Sequence, residues 1–126
     1  MKALKAMRIK IKIGDLWVSP YLHVLLTKED DVIVARCLDF TVSSHGGDEK
    51  DALQSLAEAI KEYILTSLED ASLEKLHDPA HNKYWSMFNE LEAKQLHKNV
   101  KKSLSKTILM ESYKKLGKQK AEITYA

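Results

Sequence analysis

Between residues 8 and 13 polar and apolar side chains alternate strictly, with Arg8, Lys10 and Lys12 on one side and Ile9, Ile11 and Ile13 on the other. Period two predicts a half-buried strand. Gly14-Asp15 and Pro20 interrupt the pattern. Residues 21–27 (YLHVLLT) and 32–37 (VIVARC) are apolar and rich in β-branched side chains, and the polar Lys28-Glu29-Asp30-Asp31 lies between them. This arrangement predicts a hairpin. Leu38-Asp39-Phe40 breaks the run, residues 41–44 resume it as a short third strand, and Gly46-Gly47 supplies a sharp turn.

The period then changes. Asp48 is placed to cap a helix, and Glu49 and Asp51 put negative charge where the helix dipole favours it. Leu53, Leu56, Ala57, Ile60, Ile64 and Leu68 recur at spacings of three and four, a stripe that covers one face of a sheet. This helix is expected to end near Glu69, before the polar Asp70-Ala71-Ser72. Asp78-Pro79 reads as the start of a second helix, with a capping Asp and proline at the first position. Residues 80–116 hold no proline or glycine, and Gly117 is a natural C-cap. Within them Tyr84, Met87, Phe88 and Leu91 form an apolar patch, and Leu96, Val100, Leu104 and Ile108 follow at spacing four. One long helix or two fit, with the joint at 103–105. Residues 121–125 (AEITY) are expected to form a closing strand.

These elements predict an α+β fold: an antiparallel sheet of three to four strands with one helix packed on a face, then a helical C-terminal extension. The expected division is an α+β domain over 1–75 and a basic helical extension over 76–126. A chain of 126 residues with 44% hydrophobic and 30% charged residues has ordinary globular composition. No run approaches the roughly 18 apolar residues of a membrane span, and MKALKAMRIKIK lacks the apolar core of a secretory signal. Cys37 is the only cysteine, so neither an intrachain disulfide nor a multi-cysteine zinc site is possible. A cytoplasmic protein without a membrane partner is expected.

Charge sharpens this picture. The net +2 conceals three blocks: residues 1–27 carry +4, residues 28–92 carry −9, and residues 93–126 carry +7. Such asymmetry suits different partners for different parts of the chain. An acidic middle attracts a basic protein, and a basic end attracts nucleic acid or the acidic middle of a sister chain.

Catalytic chemistry finds little support. Two-metal phosphoryl transfer needs carboxylates converging on ions about 4 Å apart, and among the strands Asp39 stands nearly alone. No enzymatic activity, cofactor or metal is expected. Cys37 is a candidate nucleophile with His45 or His23, but a lone cysteine at a strand end is better explained as a small buried hydrophobe. His77 and His81 have a helical metal-ligand spacing, yet Asp78-Pro79 lies between them, and His97 is isolated. Gly46-Gly47 before a helix suits an anion, which Asp48, Glu49 and Asp51 would repel. Tyr84, Trp85 and Phe88 suit base stacking, but their helical spacing favours packing. Lys98, Lys101, Lys102 and Lys106 are the best nucleic-acid candidates. With no arginine among them they can grip phosphate but offer no bidentate reading of bases by arginine.

The order apolar strand, polar turn, strand ending at a cysteine, acidic-apolar bend and glycine-containing joint into an alanine-rich helix resembles the HicB-like antitoxin family. The residues that carry the resemblance are 22–26, 29–31, 32–37, Leu38-Asp39-Phe40 and the joint Ser44-His45-Gly46-Gly47-Asp48-Glu49-Lys50-Asp51-Ala52, followed by Glu58-Ala59 and Tyr63 in the helix. The matching region is roughly 20–70. Leu38-Asp39 replaces the family's Pro-Asp, Asp48 replaces its capping Thr, and the strand at 8–13 is an addition. The C-terminal part lacks the helix-turn-helix or ribbon-helix-helix pattern of the DNA-binding members.

The resemblance implies a partial ribonuclease H or double-stranded-RNA-binding-like sheet without activity of its own. Its implied function is to bind and neutralise a small basic RNA-cleaving toxin of the HicA type. Glu29, Asp30, Asp31 and Asp39 are the expected toxin-binding carboxylates. Alternatives are a nucleic-acid-binding regulator acting through the basic C-terminal segment, or a solitary family member with another role. A homo-oligomer, dimer or tetramer, is expected from an open strand edge and the C-terminal helices.

Overall fold

The computed structural model describes residues 1–70 and 73–125. Ala71 and Ser72, part of the polar stretch expected after the first long helix, lie outside the described residues. The chain forms β1 (Lys2–Ile9), β2 (Lys12–Ile13), β3 (Trp17–Val18), β4 (Leu22–Glu29), β5 (Val32–Cys37) and β6 (Val42–Gly46). These are followed by α1 (Glu49–Glu69), a 3₁₀ turn (Leu73–Leu76), α2 (Asn82–Met110) and α3 (Tyr113–Gly117). By internal contacts it divides into two units, Met1–Glu92 and Ala93–Ala126.

The first unit has the predicted α+β architecture. Its main sheet has the order β1-β4-β5-β6, every neighbour antiparallel, and β2 pairs with β3 in a separate ribbon. The hairpin expected at 28–31 is present: Glu29 faces Val32, and a two-residue turn joins β4 to β5. Asp30 takes the turn's left-handed conformation at φ 56°, which aspartate tolerates better than most residues. The third strand forms at Val42–Gly46.

The strand expected over 8–13 is split. β1 begins at Lys2 and ends at Ile9. The chain then leaves the sheet because Ser19 takes over its backbone groups. The Ile11 amide donates to Ser19 Oγ and the Ser19 amide donates to the Ile11 carbonyl, each at 2.8 Å. The expected apolar side nevertheless faces inward, since Ile9, Ile11 and Ile13 all pack against the main core.

Strand alternation sends two sets of side chains to opposite faces. Leu22, Val24 and Leu26 from β4, with Ala35 and Cys37 from β5, meet Ala52, Leu56 and Ile60 of α1. The helix starts as expected, with Asp48 Oδ1 accepting from the Asp51 amide at 2.8 Å. Leu68, expected on the sheet-covering stripe, is instead 54% exposed. On the other face Leu25 and Leu38 meet Phe88 of α2, flanked by Tyr84, Trp85, Met87 and Leu91. Covering on both faces explains why consecutive residues Val24, Leu25 and Leu26 of β4 are all apolar.

The packing of α2 also places the edge of the first unit at Glu92, so the division expected at 75/76 falls inside that unit. Asp78 does not cap α2, which starts at Asn82. Residues 78–80 lie extended beside the bend that follows β5. The Ala80 amide donates to the Leu38 carbonyl at 3.0 Å, Thr41 Oγ1 donates to the Asp78 carbonyl at 2.8 Å, and Phe40 bridges Asp78. Pairing thus claims the segment that capping rules assign to a helix.

In the second unit the helix passes through 103–105 without a break. Thr107 Oγ1 donates back to the Ser103 carbonyl at 3.1 Å, a bond that a helix accommodates. The joint lies at Glu111-Ser112, where Ser112 caps α3, and Gly117 ends it. Residues 121–125 form no strand and are exposed.

Candidate functional site

Four acids are expected to meet a basic partner; the structure keeps Glu29, Asp30 and Asp31 together at the β4–β5 turn and sets Asp39 beyond the other end of β5. Asp31 and Asp39 bracket β5, eight residues apart, which is roughly 25 Å along an extended chain. Glu29 is half-buried and accepts from Arg36 Nη2 at 3.1 and 3.3 Å. Arg36 Nη1 also donates to the buried Thr27 hydroxyl at 2.7 Å, and the guanidinium lies 4.7 Å from the Tyr84 ring. Asp39 is committed as well. Its Oδ2 accepts from the His23 amide at 2.6 Å, and its Oδ1 lies 3.1 Å from His23 Nδ1. The His23 ring sits 5.1 Å from Trp85 and 5.3 Å from Phe88. Asp30 and Asp31, at the tip of the hairpin, are exposed.

Arg8 completes a polar row along the same sheet face. Its Nε and Nη2 donate to the two carboxylate oxygens of Glu92 at 2.9 and 2.8 Å. That hydrogen bond and the guanidinium charge hold the Glu92 carboxyl below the usual range, and Glu92 raises Arg8 in return. Arg36 with Tyr84, Asp39 with His23 and Trp85, and Arg8 with Glu92 thus fasten the start of α2 to the sheet. These charged groups hold the fold together, and Arg8, directly opposite His23 on the neighbouring strand, joins the Arg8–Glu92 and His23–Asp39 pairs into one cluster.

The candidate nucleophile is equally occupied by structure. Cys37 is 1% exposed and lies in the core beneath α1, and burial pushes its thiol up. His23, next to its partner Val24 on β4, projects to the opposite face, and His45 faces Val34 across the sheet. The pairs Cys37–His23 and Cys37–His45 therefore do not form. Among the described residues no three His, Cys, Asp or Glu side chains converge as a metal site would require. His81 Nδ1 accepts from the Lys83 amide at 3.1 Å. Tyr84, Trp85 and Phe88 pack as their spacing predicts, Phe88 completely and the other two partly.

Lys98, Lys101, Lys102 and Lys106 are all exposed on α2, and their offsets of three, four and eight place them on one side of the helix.

A different surface is not evident from the sequence pattern. Ile13, Trp17, Phe40, Ile64, Leu65, Leu68, Leu73 and Leu76 line an apolar cleft of about 340 Å³ at the end of α1. Leu65, Leu68 and Leu73 are substantially exposed there. Glu58, Glu62 and Glu69 stand seven, three and four residues from Leu65 and form an exposed acidic row beside it. The available signal was Leu65, an apolar residue beside the stripe, next to Ile64 and Leu68 at the end of the helix.

Twelve of the fifteen Asp and Glu residues in 28–92 are exposed, all but Glu29, Asp39 and Glu92. Among the described residues no helix is long and apolar enough to cross a membrane. No protein-family model, curated protein or solved structure matches the chain.

Proposed function

We propose that the chain is a non-catalytic antitoxin-like protein of the cytoplasm that binds and neutralises a small basic RNA-cleaving protein of the HicA type. The observation that carries this reading is the exposed acidity of residues 28–92: twelve solvent-facing carboxylates in a block of net charge −9. An RNA-cleaving protein must present positive charge to hold phosphates. A surface of opposite sign speeds its capture and competes for the same groups. The resemblance of residues 20–70 to HicB-like antitoxins supports the same role.

Of the four expected carboxylates, Asp30 and Asp31 are exposed at the hairpin tip and free to meet a partner, whereas Glu29 and Asp39 would have to leave Arg36 and His23. The test is calorimetry with a small basic ribonuclease that copurifies from the native host. Asp30→Lys with Asp31→Lys is expected to weaken binding roughly tenfold or more, with the larger loss in association rate and at low salt. No copurifying basic ribonuclease, or unchanged affinity in the double variant, would refute the role.

The lysine row on α2 favours a second role, binding of duplex DNA through phosphates. Affinity would then fall with salt at a slope of roughly −0.9 per phosphate contact, and glutamine at Lys98, Lys101, Lys102 and Lys106 would abolish it. A shift of duplex DNA that persists in the quadruple variant would exclude this row as the contact.

A further inference from the structure

The second unit carries an apolar ridge that nothing in the described chain buries. Leu96, Val100, Leu104 and Ile108 recur every fourth residue on α2 and run about 18 Å along the helix. Leu104 and Ile108 are 47% and 55% exposed. No residue from 93 to 125 is buried, and only Thr107 is even half-buried. A helix in water owes most of its stability to packing of its apolar face, so this stretch lacks its main source of stability. Lys101 adjoins the ridge, three residues before Leu104 and seven before Ile108, inside a block of net charge +7.

The first unit carries the complementary feature. The cleft of about 340 Å³ is lined by apolar side chains, and the exposed Glu62 and Glu69, three residues before and four after its lining residue Leu65, flank it on α1. Lys61 is the one cation in this part of α1. An apolar groove with an acidic margin selects an amphipathic helix with lysines beside its apolar ridge. The ridge of α2 is such a helix, and a second copy of the chain supplies it without a further partner.

We propose that two copies associate reciprocally, the Leu96–Ile108 ridge of each seated in the acidic-rimmed cleft of the other. Contact between the two ridges is disfavoured, because it would bring two +7 segments together. Contact of ridge with cleft joins opposite charges, and two-fold symmetry makes it twice. Lys98, Lys102 and Lys106 lie on the side of α2 away from the ridge and stay in solvent. The association is independent of the proposed antitoxin role and can fail or hold without it.

The experiment is sedimentation of the full chain and of two surface variants. The wild-type chain sediments as a dimer. Leu104→Glu with Ile108→Glu on the ridge, and Leu68→Glu in the cleft, are each expected to be monomeric, with unchanged thermal unfolding of the first unit. An equimolar mixture of the two variants regains a dimer, because one intact cleft meets one intact ridge. If substitutions in either apolar surface prevent folding, the charge exchange replaces them. Lys101→Glu, or Glu62→Lys with Glu69→Lys, each weakens the dimer roughly tenfold or more, and mixing the two restores it. A monomeric wild type, a cleft variant that remains dimeric, or variants that never recover on mixing would overturn the proposal.

Discussion

Replacing Phe88 by alanine is expected to cost the first unit about 3–5 kcal/mol, the range for removal of a fully buried aromatic ring. Phe88 is 0% exposed, touches Leu25 and Leu38, and meets the His23 ring nearly edge-on at 5.3 Å. Leu25 and Leu38 are fixed by the sheet, and His23 is tied to Asp39 through both its amide and its ring. A loss of this size is a large part of the about 5–15 kcal/mol that a domain has in all. It should lower the melting temperature by roughly 15–25 °C. Leu109→Ala, on the same helix at 87% exposure, should change stability by less than about 0.5 kcal/mol. Thermal unfolding of both variants, with hydrogen exchange along residues 82–92, measures the difference. Equal effects would mean that the start of α2 is not held by its aromatic residues.

The apolar patch at 84–91 and the consecutive apolar residues Val24, Leu25 and Leu26 of β4 together contain the information that α2 covers the second face of the sheet. Neither signal alone reveals it. A patch of aromatics at helical spacing fits a dimer seam as well as a core, and a short apolar strand fits a sheet covered on one face or on both. The central elements were legible because pattern and local chemistry agree there. The hairpin has its acidic turn, and α1 has Asp48 to cap it and a stripe to bury. Misplaced boundaries fall where a side chain or distant backbone competes with the local pattern. Ser19 draws Ile11 out of β1, and the bend at Leu38–Phe40 recruits residues 78–80 before they can start a helix.

The candidate site follows the same rule. Type and position made Glu29 and Asp39 look available, and the arginine and histidine that occupy them come from residues seven and sixteen positions away. Long-range pairing of this kind leaves no mark in composition. The apolar cleft was hidden for a related reason, since its walls come from α1, the 3₁₀ turn, the β2–β3 ribbon and Phe40.

Gly46→Ala is expected to destabilise the fold by roughly 1–3 kcal/mol, the cost typical of overpacking, while Gly47→Ala one residue later should be neutral or slightly stabilising. Two adjacent glycines before a helix suggest a turn that needs glycine's backbone freedom, yet neither has a positive φ. The requirement at Gly46 is space. A Cβ there would lie 2.5 Å from the Ala52 amide nitrogen and 2.6 Å from the Asp51 Cβ, both fixed by the first turn of α1. Any side chain at 46 must push the end of β6 away from the helix. That movement strains the pairing of Gly46 with Ile33 and the seating of Ala52 in the core. At Gly47 the nearest atom is an Asp51 carboxylate oxygen at 3.9 Å, an ordinary contact, and loss of glycine's freedom in the unfolded chain favours folding. Chemical denaturation of the two variants separates these causes. If Gly47→Ala proved the more damaging, backbone conformation and not close approach would explain the pair. If Gly46→Ala were harmless, α1 would have to shift readily on the sheet, against the fully buried positions of Ala52, Leu56 and Ile60.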